Sequence, residues 1–388
     1  MSLRQKVGQL LIFGYVGTVA DSTLKQMLHD QHPGALITFS RNIRSLEQIA
    51  TVNRTAQSWA KQNKDVPLFI MVDQEGGNVA RLKFQNSLPS ALALGETRDP
   101  ELIKRYGEAM GQIMVKLGFN MNLAPVLDLS DPASLSFIGP RSFGSPPEGV
   151  GQMAGAFAKG LALGGVIPTA KHFPGHGGVV QDSHQMTPKK LLTLAELIDT
   201  DLVPFRKFAN ADYPRAIMMA HISFPQIDPS GTPSAFSSVL IEKVLREDFR
   251  FEGLVMTDDI EMSGANVAGT VEERVIRAVE AGNDMVMVAW SPRRQQRAID
   301  ALLGAIQDGR LPIERVHQSL KRILTYKFQL DETQRQLNDT LKQTPLRTLQ
   351  ASLEGFSEKV KRYNFLKTAG MNQGLRGTFS ERSSVPGL

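Results

Sequence analysis

Short apolar runs alternate with longer amphipathic segments along this 388-residue chain. Eight runs have strand length: 9–16, 35–40, 68–73, 120–127, 166–172, 216–222, 253–258 and 285–289. Leu10-Leu11-Ile12-Phe13 is typical of them. Such runs are continuous rather than alternating, as strands covered on both faces are. Between them lie segments with apolar residues at helical spacing, among them 45–61, 102–117, 194–208, 271–281 and 292–307. Eight strands, each followed by a helix, predict an α/β fold with a single (β/α)8 TIM-type barrel over residues 1–330. An open doubly wound sheet is the alternative, and it would need a phosphate-cradling glycine turn after the first strand. Gly14-Tyr15-Val16-Gly17 does not supply the full pattern.

The pattern changes beyond residue 330. Thr344-Pro345 is a good helix start, a cap followed by proline at the first position. Leu346, Leu349, Leu353, Phe356, Val360 and Tyr363 then recur at spacings of three and four. This predicts an amphipathic helix over about 345–366 within a C-terminal extension, 331–388. Its apolar stripe docks either on the barrel or on a partner chain, so a monomer or a weak homodimer is expected. Residues 370–388 are rich in Gly and Ser, a composition that suits a tail without a core.

Composition narrows the function classes. The chain has no cysteine, which excludes disulfides, a thiol nucleophile and a cysteine zinc site. No run of eighteen apolar residues occurs, so no membrane-spanning helix is expected. The net charge of +5 is spread without a Lys/Arg block, which argues against nucleic-acid binding. Residues 1–20 weakly imitate a signal peptide, with charge first and small residues last. The short run 10–13 fits a first buried strand better. Composition leaves the compartment open between cytoplasm and, where a native leader has been removed, periplasm.

Candidate chemistry gathers at the C-terminal ends of the expected strands, the face on which barrel enzymes place catalysis. Strand five ends in Lys171-His172-Phe173-Pro174-Gly175-His176-Gly177, followed by Gln181-Asp182-Ser183-His184. Three of the seven histidines fall within these thirteen residues, 172–184, and glycines make the run a loop. Asp182 stands two residues from His184, close enough to orient its ring for proton transfer. A structural His/Asp loop and a zinc site are the alternative readings. Strand three ends in Asp73-Gln74-Glu75-Gly76-Gly77, strand six near His221, and strand seven in Thr257-Asp258-Asp259. Successive strand residues point to opposite sides, so one of Asp258 and Asp259 is expected to face the mouth. A carboxylate beside an imidazole acid/base suggests glycoside cleavage, one group attacking the anomeric carbon and the other protonating the leaving oxygen.

These residues resemble family 3 glycoside hydrolases, and more narrowly their bacterial β-N-acetylglucosaminidase branch. The resemblance rests on the 171–177 loop with Asp182-Ser183-His184, and on Asp73-Gln74-Glu75-Gly76-Gly77 with Arg81. Ala124-Pro125-Val126-Leu127-Asp128, Arg141-Ser142-Phe143-Gly144, and Thr257-Asp258-Asp259 with Met262 match in order and spacing. It implies Asp258 as nucleophile and His184 as general acid/base supported by Asp182. Asp73, Arg81, Arg141, Lys171 and His172 would hold the sugar. His176 would shape the loop, and His221 is as well read as a satisfied mouth residue as a contact. The implied substrate is a carbohydrate, a muropeptide or chitin-like fragment with terminal β-linked N-acetylglucosamine. No cofactor and no metal are implied. Asn78 and Glu261 depart from the family pattern, in which arginine and a small residue are common at those positions.

Overall fold

In a computed structural model of the protein, residues 1–131, 137–179 and 186–369 are described. Eight parallel strands close a barrel in chain order: β1 Leu11–Gly14, β2 Ala35–Thr38, β3 Phe69–Val72, β4 Met121–Asn122, β5 Ile167–Phe173, β6 Ala216–Met219, β7 Leu254–Asp259 and β8 Met285–Val288. β8 pairs with β1 to close it, Leu11 opposite Val286 and Phe13 opposite Val288. Closure needs a close approach at Gly14, where a Cβ would stand 2.0 Å from the Ala289 carbonyl oxygen. The strands are apolar on both faces because helices cover them outside and side chains fill the barrel inside.

Helix starts follow local chemistry. Ser45, Asp99, Thr270 and Ser291 each cap a helix by accepting a backbone N–H, and proline stands at the first position after Asp99 and Ser291. Three details differ from the sequence reading. β1 begins at Leu11, because Gln9 ends a short helix, Leu3–Gln9, capped by Ser2. The Gln9 side chain instead accepts a 2.7 Å hydrogen bond from buried Lys327, which also donates to the Gly34 carbonyl. β4 pairs over two residues only, Met121–Asn122. Beyond it, Leu127 N–H donates to the Lys171 carbonyl at 2.7 Å, so the chain still runs beside β5. Segment 194–208 is two helices, Leu194–Asp199 and Leu202–Ala209, because Thr200 leaves the helical backbone region.

The last barrel helix, Ile313–Gln343, passes through residue 330 without a break. The expected boundary therefore falls inside an element. After Thr344-Pro345 the chain turns into a final helix, Leu346–Thr368, which lies on the outer helices Pro100–Lys116 and Ala91–Glu96 of its own barrel. Leu349, Leu353 and Val360 are buried there. Asn364 donates to the Ala93 carbonyl at 2.9 Å. Among the described residues no helix is long and apolar enough to cross a membrane.

Candidate active site

A cavity of about 540 Å³ opens among the C-terminal ends of the strands. Asp73, Arg81, Arg141, Lys171, His172 and Asp258, expected to act together, all line it. His184 and Asp182, and with them the loop they occupy, lie outside the described residues.

One wall is an ion network between β3 and β5. Lys171 is fully buried at the end of β5 and places its ammonium 2.8 Å from Asp73 Oδ1 and 2.7 Å from Glu75 Oε1. Arg141 donates to both oxygens of Glu75, at 2.9 and 2.8 Å. Arg81 stands 3.9 Å from Asp73 Oδ2, returned there by a hairpin of Gln74–Gly76 against Val79–Ala80. That hairpin needs its glycines, for Gly76 and Gly77 have φ of 99° and 54°. Burial would raise the Glu75 carboxyl, but Lys171 and Arg141 overcome it and hold it down at about 2. Burial opposes the Lys171 charge, and Asp73 and Glu75 outweigh it, so its pKa rises. Glu75 was not among the expected site residues. Its position two residues after Asp73, between glycine and a strand end, was the available signal.

Asp128 organises the second cluster and was likewise not among the expected site residues. It is completely buried. Its carboxylate accepts from the His172 ring at 2.6 Å, the His172 backbone at 3.1 Å and the His176 backbone at 2.6 Å. Despite burial, which raises it, the neighbouring His172 and His176 hold this carboxyl at about 2. His176 is itself pushed down to about 4, by burial and by His172. Among the described residues no cluster of three or more His, Asp or Glu has metal-holding geometry.

Asp258 and Asp259 are both among the residues that line the cavity. The ladder slips here: Met285 pairs with Met256, but Met287 pairs with Asp259. The extra residue breaks the simple alternation at the end of β7. Asp258 is held below the usual carboxylate range, because His172, His221, the Asp259 N–H and Lys171 outweigh burial. Asp259 behaves oppositely. Burial, reinforced by Glu261 and Asp258, pushes it up to about 8. Its Oδ1 accepts from the Glu261 and Ala289 backbones at 3.0 and 3.4 Å. His221 is buried, donates from Nε2 to the Asp259 carbonyl at 3.1 Å, and stacks on Phe236. A low-pKa carboxylate beside a neutral carboxylic acid is the pattern by which one site divides charged and uncharged roles.

The chain matches a family model described as the glycosyl hydrolase family 3 N-terminal domain over residues 2–326. A β-hexosaminidase of Idiomarina loihiensis is 34% identical over 302 residues, 76% of this chain and 88% of that protein. The family 3 β-N-acetylglucosaminidase of Paenibacillus sp. FPU-7 superposes with a TM-score of 0.84 at 34% identity, over 93% of this chain and 69% of that one. Zinc-bound CbsA of Thermotoga neapolitana superposes with a TM-score of 0.76 at 33% identity, over 84% and 68%. Fold, ordered motifs and matched length agree: the chain belongs to glycosyl hydrolase family 3 and is a glycoside hydrolase.

Proposed function

We propose that the enzyme is a retaining exo-β-N-acetylglucosaminidase that removes terminal N-acetylglucosamine from cell-wall or chitin-like fragments. The observation that carries this reading is Asp258, a carboxylate kept ionised at the end of β7 in the cavity wall. The names of its relatives, β-hexosaminidases and β-N-acetylglucosaminidases, support the substrate.

The chemistry follows from the donors left over. Lys171 has three N–H groups and spends two on Asp73 and Glu75. Arg141 has five and spends two on Glu75. The remaining donors, with Asp73, Arg81 and His172, hold the sugar hydroxyls and amide. Asp258 attacks C1 as the C1–O bond to the leaving group breaks. His184, oriented by Asp182, gives its proton to the departing oxygen. Water then attacks C1 of the glycosyl-enzyme, its proton goes to His184, and Asp258 is released. No metal or cofactor enters these steps.

A panel of chromogenic β-glycosides tests the specificity. The N-acetylglucosaminide should be cleaved far faster than the glucoside or xyloside. Proton NMR of the first product should show the β anomer. Equal rates across the panel would favour a broader β-glycosidase, and an initial α anomer would rule out retention.

A further inference from the structure

We infer that Phe39, Arg41 and Trp290 form the subsite for the leaving group, and that Arg41 reads a carboxylate on it. This rests on the reading above and extends it to the aglycone.

The three residues line the catalytic cavity at the ends of β2 and β8, which flank β1. The ion network occupies the ends of β3 and β5. Trp290 is 57% exposed and lines the cavity, so its ring is open to a bound group. Its ring stacks on Phe39 with centroids 5.2 Å apart. The Arg41 guanidinium lies on both, 3.9 Å from the Trp290 ring and 4.5 Å from Phe39. Cation–π stacking of this kind fixes the guanidinium plane and leaves its edge for hydrogen bonds. Among the described residues that edge makes one bond, from Nη2 to the Ala289 carbonyl at 3.1 Å.

The platform is held rigidly. Asn42 accepts from the Phe39 N–H at 3.0 Å and donates to the Tyr15 and Gly17 carbonyls, which locks the turn that carries Arg41. Glu261, one of the two departures noted in the sequence, accepts from the Trp290 N–H at 2.6 Å and from Ser291, and pairs with Arg294 at 3.1 Å. Trp290 follows β8, which is hydrogen-bonded to the strand of Asp258. A leaving group departing from Asp258 toward this side meets an aromatic face and a guanidinium edge. An indole face suits the C–H face of a pyranose, and a guanidinium suits a carboxylate. A sugar carrying an acidic substituent satisfies both.

The test uses the full chain and three β-N-acetylglucosaminides that share the non-reducing sugar. One is the glycosyl fluoride, which has no aglycone ring. The second is diacetylchitobiose, whose aglycone is neutral. The third is the disaccharide with N-acetylmuramic acid, whose aglycone bears a carboxylate. Trp290→Ala should lower kcat/KM for both disaccharides by about tenfold or more relative to the fluoride. Arg41→Met should lower the ratio of the acidic to the neutral disaccharide by a similar factor, with partial recovery in Arg41→Lys. Unmoved ratios in both variants would overturn the subsite. Equal losses on the two disaccharides in Arg41→Met would overturn the carboxylate. A wild-type enzyme that cleaves none of the three overturns the N-acetylglucosaminidase reading itself.

Discussion

Arg141 grips Glu75 through two parallel hydrogen bonds, although 66 residues separate them in the chain. The geometry is a guanidinium fork on a carboxylate, the strongest form of such a contact. Glu75 also anchors Lys171, so one buried carboxylate sets two of the cations that line the cavity.

Glu75→Gln should therefore damage both binding and stability. Arg141 would lose its paired carboxylate, and Lys171 would keep Asp73 as its one direct ion-pair partner among the described residues. Breaking a buried pair costs about 3–5 kcal/mol. KM should rise more than kcat falls, and the melting temperature should drop at neutral pH. The pH dependence has a definite sign. The folded-state pKa of Glu75 is depressed from 4.5 to about 2. Its stabilisation is present above pH 4.5 and is lost as pH falls toward 2. The gap in melting temperature between wild type and Glu75→Gln should narrow over that interval. A gap that stays constant from pH 6 to pH 2 would contradict the assignment.

Asp258→Ala should fold normally and lose several orders of magnitude in turnover, each decade corresponding to about 1.4 kcal/mol of barrier. A fluorinated β-N-acetylglucosaminide should label the wild-type enzyme covalently. Mass spectrometry of the labelled peptide should place the sugar on Asp258. Label on the adjacent Asp259 would reverse the two roles.

Asp259 should reveal itself by the opposite pH behaviour. Its carboxyl is buried and its folded pKa is raised from 3.8 to about 8. The stability tied to its neutral form is full below pH 3.8 and is lost as pH rises through about 8. Asparagine mimics the neutral acid and cannot ionise. Asp259→Asn should thus match wild type near pH 4 and become relatively more stable as pH approaches 8. Thermal melts across this range check the trend, and a variant destabilised most at pH 8 would refute it.

Much of the barrel was legible because parallel strands covered on both faces leave unbroken apolar runs. Phe69-Ile70-Met71-Val72 and Met285-Val286-Met287-Val288 are strands in their entirety. The chemistry-bearing loops were legible because they follow such runs. Pairings across the chain were not. Nothing in Arg141 or Glu75 alone announces the other, and the choice between a sugar contact and an internal ion pair is made by tertiary proximity. Asp128 was hidden likewise: a buried acid is distinguished from an exposed one only by the His172 and His176 groups folded onto it. The slip at the end of β7 depends on register with β8, which alternation along one strand does not contain.

His184→Ala should hurt substrates with basic leaving groups far more than activated aryl glycosides, because protonation matters most when the departing oxygen is basic. Asp182→Ala should give a milder form of the same pattern. The check is a plot of log kcat/KM against leaving-group pKa, which should steepen in both variants. Parallel lines, displaced equally for all aglycones, would remove His184 from the acid/base role.

The final helix offers a test of stability that is separate from chemistry. Leu349, Leu353 and Val360 are buried on the outer helices, and each side chain of this size contributes roughly 1.5–3 kcal/mol when fully removed from water. Ordering more than twenty residues offsets much of this sum, since each costs about 1–2 kcal/mol of backbone entropy. The helix is therefore held by its docking and not by its own propensity, as isolated helices of this length are marginal. Cutting the chain after Lys342 uncovers the faces of Pro100–Lys116 and Ala91–Glu96 that the helix covers. The melting temperature should fall by several degrees. The turnover number should change little, because no described side chain of the removed segment lines the cavity. Since the stripe is covered within its own chain, light scattering should give one protomer mass for both forms. A full-length dimer that becomes a stable, unperturbed monomer on truncation would show that the stripe serves a second copy instead.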